Sequence, residues 1–202
     1  MIAIVDYGVG NLFSLSRSLD YLGLSSTVTR DPGELRRASH IILPGVGAFG
    51  DAAAKLRETG LDELLCREAA AGKPLLGICL GMQLLLETSH EFGQWQGLGL
   101  IPGDICPLAD DLPAGLKVPH IGWNSLAFPK ASPLFRYSKP GDHVYFVHSF
   151  YGKHCAEHTV AVTDYGIPVT AAVQRDNVFG AQFHPEKSGA AGLNILKAFS
   201  EV

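Results

Sequence analysis

Three groups of residues in this sequence have the types and spacing for acyl-transfer chemistry. The first is Gly77-Ile78-Cys79-Leu80-Gly81, one cysteine with a glycine two residues to either side. The apolar Pro74-Leu75-Leu76 leads in and a helix-period stretch over residues 80–88 leads out. That order predicts a nucleophile elbow, a sharp strand-to-helix turn with the reactive side chain at its tip. The turn crowds its flanks, so glycine is required there. It also sets Cys79 at a helix N-terminus, where the dipole favours a thiolate. A thiol still needs a base, and the base an orienting partner. His184-Pro185-Glu186 supplies both: in an extended segment residues i and i+2 share a side, so Glu186 can hold one imidazole nitrogen while the other faces Cys79. An oxyanion hole completes the set. The Leu80 backbone N–H is one donor, and the Gly45-Val46-Gly47 backbone after Pro44 offers a second. A glycine-rich peptide plane flips cheaply, so the second donor is expected to form only when a partner is occupied.

The elements that must carry these groups follow from periodicity. Ile2–Val5 reads as a buried strand and 12–22 as a helix ended by Gly23. Short strands are expected at 27–29 and 40–43. One or two helices fill 48–71, split near Gly60 and closed by Gly72. A strand over 75–78 and a helix over 80–88 flank the cysteine. This β-α-β-α order predicts a parallel sheet with helices on both faces, whose site lies at the carboxyl ends of the strands. Later strand candidates crowd together at 118–121, 143–146, 159–162, 169–174 and 178–183. Arg175-Asp176-Asn177 makes a hairpin of the last two. A helix over 190–199 closes the chain. No linker or repeat appears, so one domain over 1–202 with a mixed sheet is the expected organisation.

Bulk properties narrow the class. The 202 residues suffice for an α/β core, and 47% hydrophobic with 18% charged residues fits a well-packed domain. A net charge of −4 without a basic run argues against nucleic acid. No apolar stretch approaches spanning length, and the opening residues carry no charged leader, which predicts a cytoplasmic protein. Cys66, Cys79, Cys106 and Cys155 form no C-x-x-C pair, so no metal site is expected.

With its G-x-C-x-G elbow and H-P-E segment, the chain resembles the triad-type, class I glutamine amidotransferases. It is most similar to the family of glutaminase subunits of imidazole glycerol phosphate synthases. The residues that carry this are 4–12, Leu43-Pro44-Gly45-Val46-Gly47-Ala48-Phe49-Gly50, 77–83, His120-Ile121-Gly122-Trp123-Asn124, His148-Ser149-Phe150-Tyr151 and 182–188. Ala54 stands about where methionine is common in that family, a departure that bears on packing. The resemblance implies a three-layer fold with a central, mostly parallel mixed sheet. It implies hydrolysis of glutamine to glutamate and ammonia by Cys79, His184 and Glu186, with no cofactor. Substrate contacts would come from Gly45, Val46, Gly47, Leu80, Gln83 and Ser149. The sequence shows no Walker-type loop that could use the ammonia. The family's answer is a (β/α)8-barrel cyclase subunit, paired as a heterodimer and serving histidine biosynthesis. Asn11, Trp123, Tyr145 and Lys187 are the expected interface residues; exposed tryptophan suits a hot spot. Lys187 could instead balance Glu186. Three other readings stand beside this one: the glutaminase of another synthase, such as pyridoxal phosphate synthase; a non-catalytic paralogue; and a thiol peptidase. The Pro-Gly-Val-Gly loop, the intact triad and the absence of a papain-like cysteine setting argue against them in turn.

Overall fold

The computed structural model describes residues 1–202. In chain order its elements are β1 (Ile2–Val5), α1 (Leu12–Tyr21), β2 (Ser26–Thr29), α2 (Pro32–Arg37), β3 (His40–Gly45), α3 (Phe49–Glu58), α4 (Leu61–Ala70), β4 (Leu75–Cys79) and α5 (Leu80–Leu85). Then come β5 (Thr88–Ser89), β6 (Trp95–Gln96), β7 (Asp104–Pro107), β8 (His120–Ser125), β9 (His143–His148), β10 (Phe150–Lys153), β11 (Thr159–Asp164), β12 (Pro168–Arg175), β13 (Val178–Ala181) and α6 (Gly189–Ser200).

The central sheet has seven strands in the order β11-β12-β13-β4-β3-β1-β2. Its β13-β4-β3-β1-β2 part is parallel, and β11 and β12 join antiparallel. The parallel strands are unbroken apolar runs because both faces are covered. Ala3, Val5 and Leu75 pack with α2, α3 and α4 on one side. Ile2, Ile4, Leu76 and Ile78 pack with α1 and α6 on the other. This is the expected α/β architecture. A four-stranded sheet, β10-β7-β5-β6, and a two-stranded ribbon, β8-β9, lie outside it.

Several expected bounds shift. The helix after Cys79 stops at Leu85 rather than 88, because the chain turns extended at Leu86 (ψ 174°) to enter β5. A one-and-a-half-turn helix carries less dipole than the sequence pattern promised. The strand expected at 118–121 is β8, which starts at His120 and runs through Trp123, so Trp123 stands within a strand rather than after one. β13 ends at Ala181, two residues early. Strands β5, β6, β7 and β10 and helix α2 carry no expectation above. α2 is set by an Asp31 cap, whose Oδ1 accepts from the Glu34 N–H at 2.8 Å, and by Pro32 in its first turn.

Candidate active site

Cys79 is the last residue of β4 and has φ 54° and ψ −111°, a strained conformation for a side-chain-bearing residue. This is the elbow. Two glycines make it possible. A Cβ on Gly77 would lie 2.5 Å from the Gly81 carbonyl oxygen, and one on Gly81 would collide with the Leu43 carbonyl of the neighbouring strand. The tip therefore forms where β4, β3 and α5 approach with no room for a methyl group.

His184 follows β13, the strand beside β4 in the sheet. Its Nδ1 lies 2.8 Å from Glu186 Oε1, and the two side chains are 2% and 3% exposed. The pair does not arise from an extended i, i+2 segment. Pro185–Lys187 is a 3-10 turn, and the tight turn folds Glu186 back onto His184. His184 Nε2 and Glu186 Oε2 are buried without partners, which leaves Nε2 as the ring atom available to Cys79. Burial pushes the imidazole down. Hydrogen bonding and electrostatic interaction with Cys79 and with the Glu186 carboxylate outweigh it and raise the pKa to about 9.

Cys79 and His184 open on a cavity of about 440 Å³, within the range of small-molecule sites. Val46, Gly47, Leu80, Gln83 and Ser149, expected as substrate contacts, also line it, and so does Lys187, expected at the interface instead. Gly45 does not line it. β3 continues through Pro44 and Gly45, where Gly45 pairs with Cys79. Gly45 must be glycine because a Cβ would meet Tyr7 Oη at 2.7 Å and the Gly81 nitrogen at 2.9 Å. Tyr7 Oη donates to the Pro44 carbonyl at 2.8 Å and so anchors the loop from beneath.

Gln83 is 6% exposed, and its Nε2 donates to the Phe150 carbonyl at 3.2 Å and to Gln182 Oε1 at 3.0 Å. Its own Oε1 is left to serve a ligand. Gln182 in turn points Nε2 at Cys79 Sγ, 3.9 Å away. The same Phe150 carbonyl accepts from His148 Nδ1 at 2.8 Å. Behind His148, His120 Nδ1 lies 3.0 Å from His148 Nε2.

The four expected interface residues gather around the triad. Asn11 Nδ2 donates to Glu186 Oε1 at 3.4 Å. Lys187 Nζ stands 5.7 Å above the Tyr145 ring, and Trp123 meets Tyr145 edge-on at 5.9 Å, directly opposite it in the β8–β9 ribbon. Trp123 is 53% exposed, and Ile121 on the same strand face 57%.

Glu91, Phe92, Gln182 and Tyr7 escape the sequence reading. Glu91 is the one carboxylate on the cavity wall, and Phe92 is its neighbour there. Both lie on the β5–β6 connection, where a single glutamate among polar residues gives no spacing to read. Gln182 stands two residues before His184 and could have been found as a side chain beside the base.

The model of the glutamine amidotransferase class-I family matches residues 3–201. The chain is 52% identical over 202 residues to imidazole glycerol phosphate synthase subunit HisH of Moorella thermoacetica, covering all of this chain and 94% of that one. It is 48% identical to the protein of the same name from Listeria monocytogenes and 50% to that from Lacticaseibacillus casei, covering all of this chain and 96% of each. Among solved structures it is similar to a crystal structure described as a glutamine amidotransferase (TM-score 0.76, 18% identity, 99% of this chain and 100% of that). It is similar also to PurLQS from Thermotoga maritima (TM-score 0.76, 21% identity, 99% of this chain and 97% of that).

Proposed function

The chain belongs to the class-I glutamine amidotransferases, and on that premise we propose that it is the glutaminase subunit of an imidazole glycerol phosphate synthase, working in histidine biosynthesis. The full-length identity of 52% to a subunit of that name carries the assignment. In the reaction, Cys79 Sγ attacks the side-chain amide carbon of glutamine. His184 Nε2 takes the thiol proton and passes it to the departing nitrogen, which leaves as ammonia. The γ-glutamyl thioester is then opened by water, with His184 as base, to give glutamate and the free thiol. Glu186 keeps Nδ1 protonated and the ring in place. The backbone N–H groups of Leu80 and of Val46–Gly47 receive the developing oxyanion.

The rest of the cavity fits a zwitterionic amino acid. Glu91 is the one carboxylate available to the α-ammonium group. Gln83 Oε1 accepts a substrate N–H, because its amide donors are already committed. Ser149 offers a hydroxyl. Gly45 supports the elbow rather than the substrate.

Ammonia released into water would be protonated and lost, so a cyclase subunit receives it directly. That partner is a (β/α)8 barrel docked on Asn11, Trp123, Tyr145 and Lys187 as a heterodimer. We place the protein in the cytoplasm; no helix is long and apolar enough to cross a membrane. Neither nucleic acid nor a membrane takes part.

The test uses the glutamine-analogue electrophile 6-diazo-5-oxo-L-norleucine. It is expected to label Cys79, and Cys79→Ala is expected to stop ammonia release. Turnover by that variant would overturn the nucleophile assignment. Glutaminase rates for the chain alone, with the cyclase, and with the cyclase plus its nucleotide ligand should rise in that order if the loop donor forms on occupancy.

A further inference from the structure

Phe92 is the most exposed large apolar side chain of the protein, at 90%. It nonetheless lines the cavity that holds Cys79. Its backbone sits at φ 51°, a left-handed conformation that aromatic residues rarely adopt. Such strain persists only where the surroundings fix the chain, and it marks positions worth a functional question.

The surroundings do fix it. Ser89 pairs with Trp95 in the β5–β6 ribbon, so residues 90–94 form a short tip. The Glu91 N–H donates to Ser89 Oγ at 3.2 Å. Glu91 Oε2 accepts the Phe49 N–H at 2.6 Å, tying the tip to the start of α3. The Glu91 carbonyl accepts Trp95 Nε1–H at 2.8 Å. The Trp95 ring lies flat against Gly50, where a Cβ would come within 2.7 Å of it. Phe92 is therefore held at the rim by the three hydrogen bonds of its neighbour Glu91. Its ring meets Phe150 edge-on, with centroids 5.8 Å apart and planes at 78°. Phe150 belongs to the wall that carries Ser149 and receives Gln83.

An apolar ring held open to water beside a polar cavity gains surface burial only when something enters. Glu91, its chain neighbour, is the carboxylate assigned above to the α-ammonium group. The α-carbon end of a bound glutamine thus lies against Phe92, while the amide end lies at Cys79. We propose that Phe92 is a specificity-determining residue: it stands at the cavity rim on the α-end, packs against free glutamine, and disfavours glutamine whose α-carboxyl is extended by a peptide bond. This rests on the reading of the cavity as a glutamine site.

The experiment measures ammonia release by the complex with its cyclase subunit, from L-glutamine and from L-glutaminyl-glycine. In Phe92→Ala the KM for glutamine is expected to rise about tenfold with kcat little changed. The kcat/KM preference for glutamine over the dipeptide should narrow by about tenfold or more, the scale that pocket contacts of this size command. Phe92→Tyr should retain the preference. An unchanged preference in Phe92→Ala overturns the proposal, as does a variant that only loses affinity for the cyclase. Labelling by 6-diazo-5-oxo-L-norleucine separates the two levels. If Cys79 is labelled in the parent and in Phe92→Ala while the preference is unchanged, the role of Phe92 falls alone. If Cys79 is not labelled in the parent, the glutamine site itself falls.

Discussion

Burial drives the His148 imidazole down to about 4, and the nearby His120 and His184 rings add to that push. His184, on the same cavity, is raised to about 9. The signs lead to opposite consequences for stability. The unfolded value of both is 6.5. His148 is depressed, so its contribution is complete above 6.5 and is lost as pH falls towards about 4. His184 is raised, so its contribution is complete below 6.5 and is lost as pH rises through about 9. In urea titrations, His148→Gln should flatten the acid arm of the stability profile and leave the alkaline arm alone. Glu186→Gln removes a charge that holds the His184 proton. It should lower the His184 midpoint, read by NMR of the ring, and flatten the alkaline arm. At this scale Cys79, His184 and Glu186 were legible because each sits in a fixed short pattern. Glu91 and Phe92 were not, because their neighbourhood is set by a hairpin that brings residue 91 against residue 49.

Among the elements, the crossing of β3, β4 and α5 governs the site. Gly81→Ala forces a methyl group onto the Leu43 carbonyl, a backbone atom that cannot rotate away. We expect a loss of about 3 kcal/mol or more, measured by denaturation, although no reactive group is touched. Tyr7→Phe keeps the packing and deletes the donor to the Pro44 carbonyl. It should cost about 1 kcal/mol and speed amide exchange at Val46 and Gly47. The parallel strands were legible because strands buried on both faces are plain apolar runs. The shorter α5 was not: Leu86 continues the helical spacing, yet it is buried after the helix has ended. β8 alternates buried His120 with exposed Ile121 and Trp123, so its inner face is polar and its outer face apolar. That inversion is why the expected strand, 118–121, starts two residues early and is cut short before Trp123.

For the whole molecule, the inversion is informative. An apolar strand face left to solvent beside the triad is where a second subunit can add surface without refolding this one. Trp123→Ala should weaken cyclase binding by about 2 kcal/mol, roughly 30-fold, in calorimetric titration. The thermal midpoint of the isolated chain should hardly move, because the ring is half in water already. The order of strands was partly legible, through the β-α-β pattern. The two smaller sheets were not, since two-residue strands such as β5 and β6 carry no periodicity.

The crowding of Gly45, Gly77 and Gly81 also bears on how variation in this gene would be read. Every single-base change that replaces one of these glycines adds at least a Cβ, and all three positions lack the space for one. A saturation library scored by histidine prototrophy would record three silent-only positions beside Cys79. Their depletion would look as severe as that of Cys79 and would report steric exclusion alone. Abundance of the variant protein, scored alongside growth, tells the two apart: Cys79 variants accumulate, and the glycine variants do not.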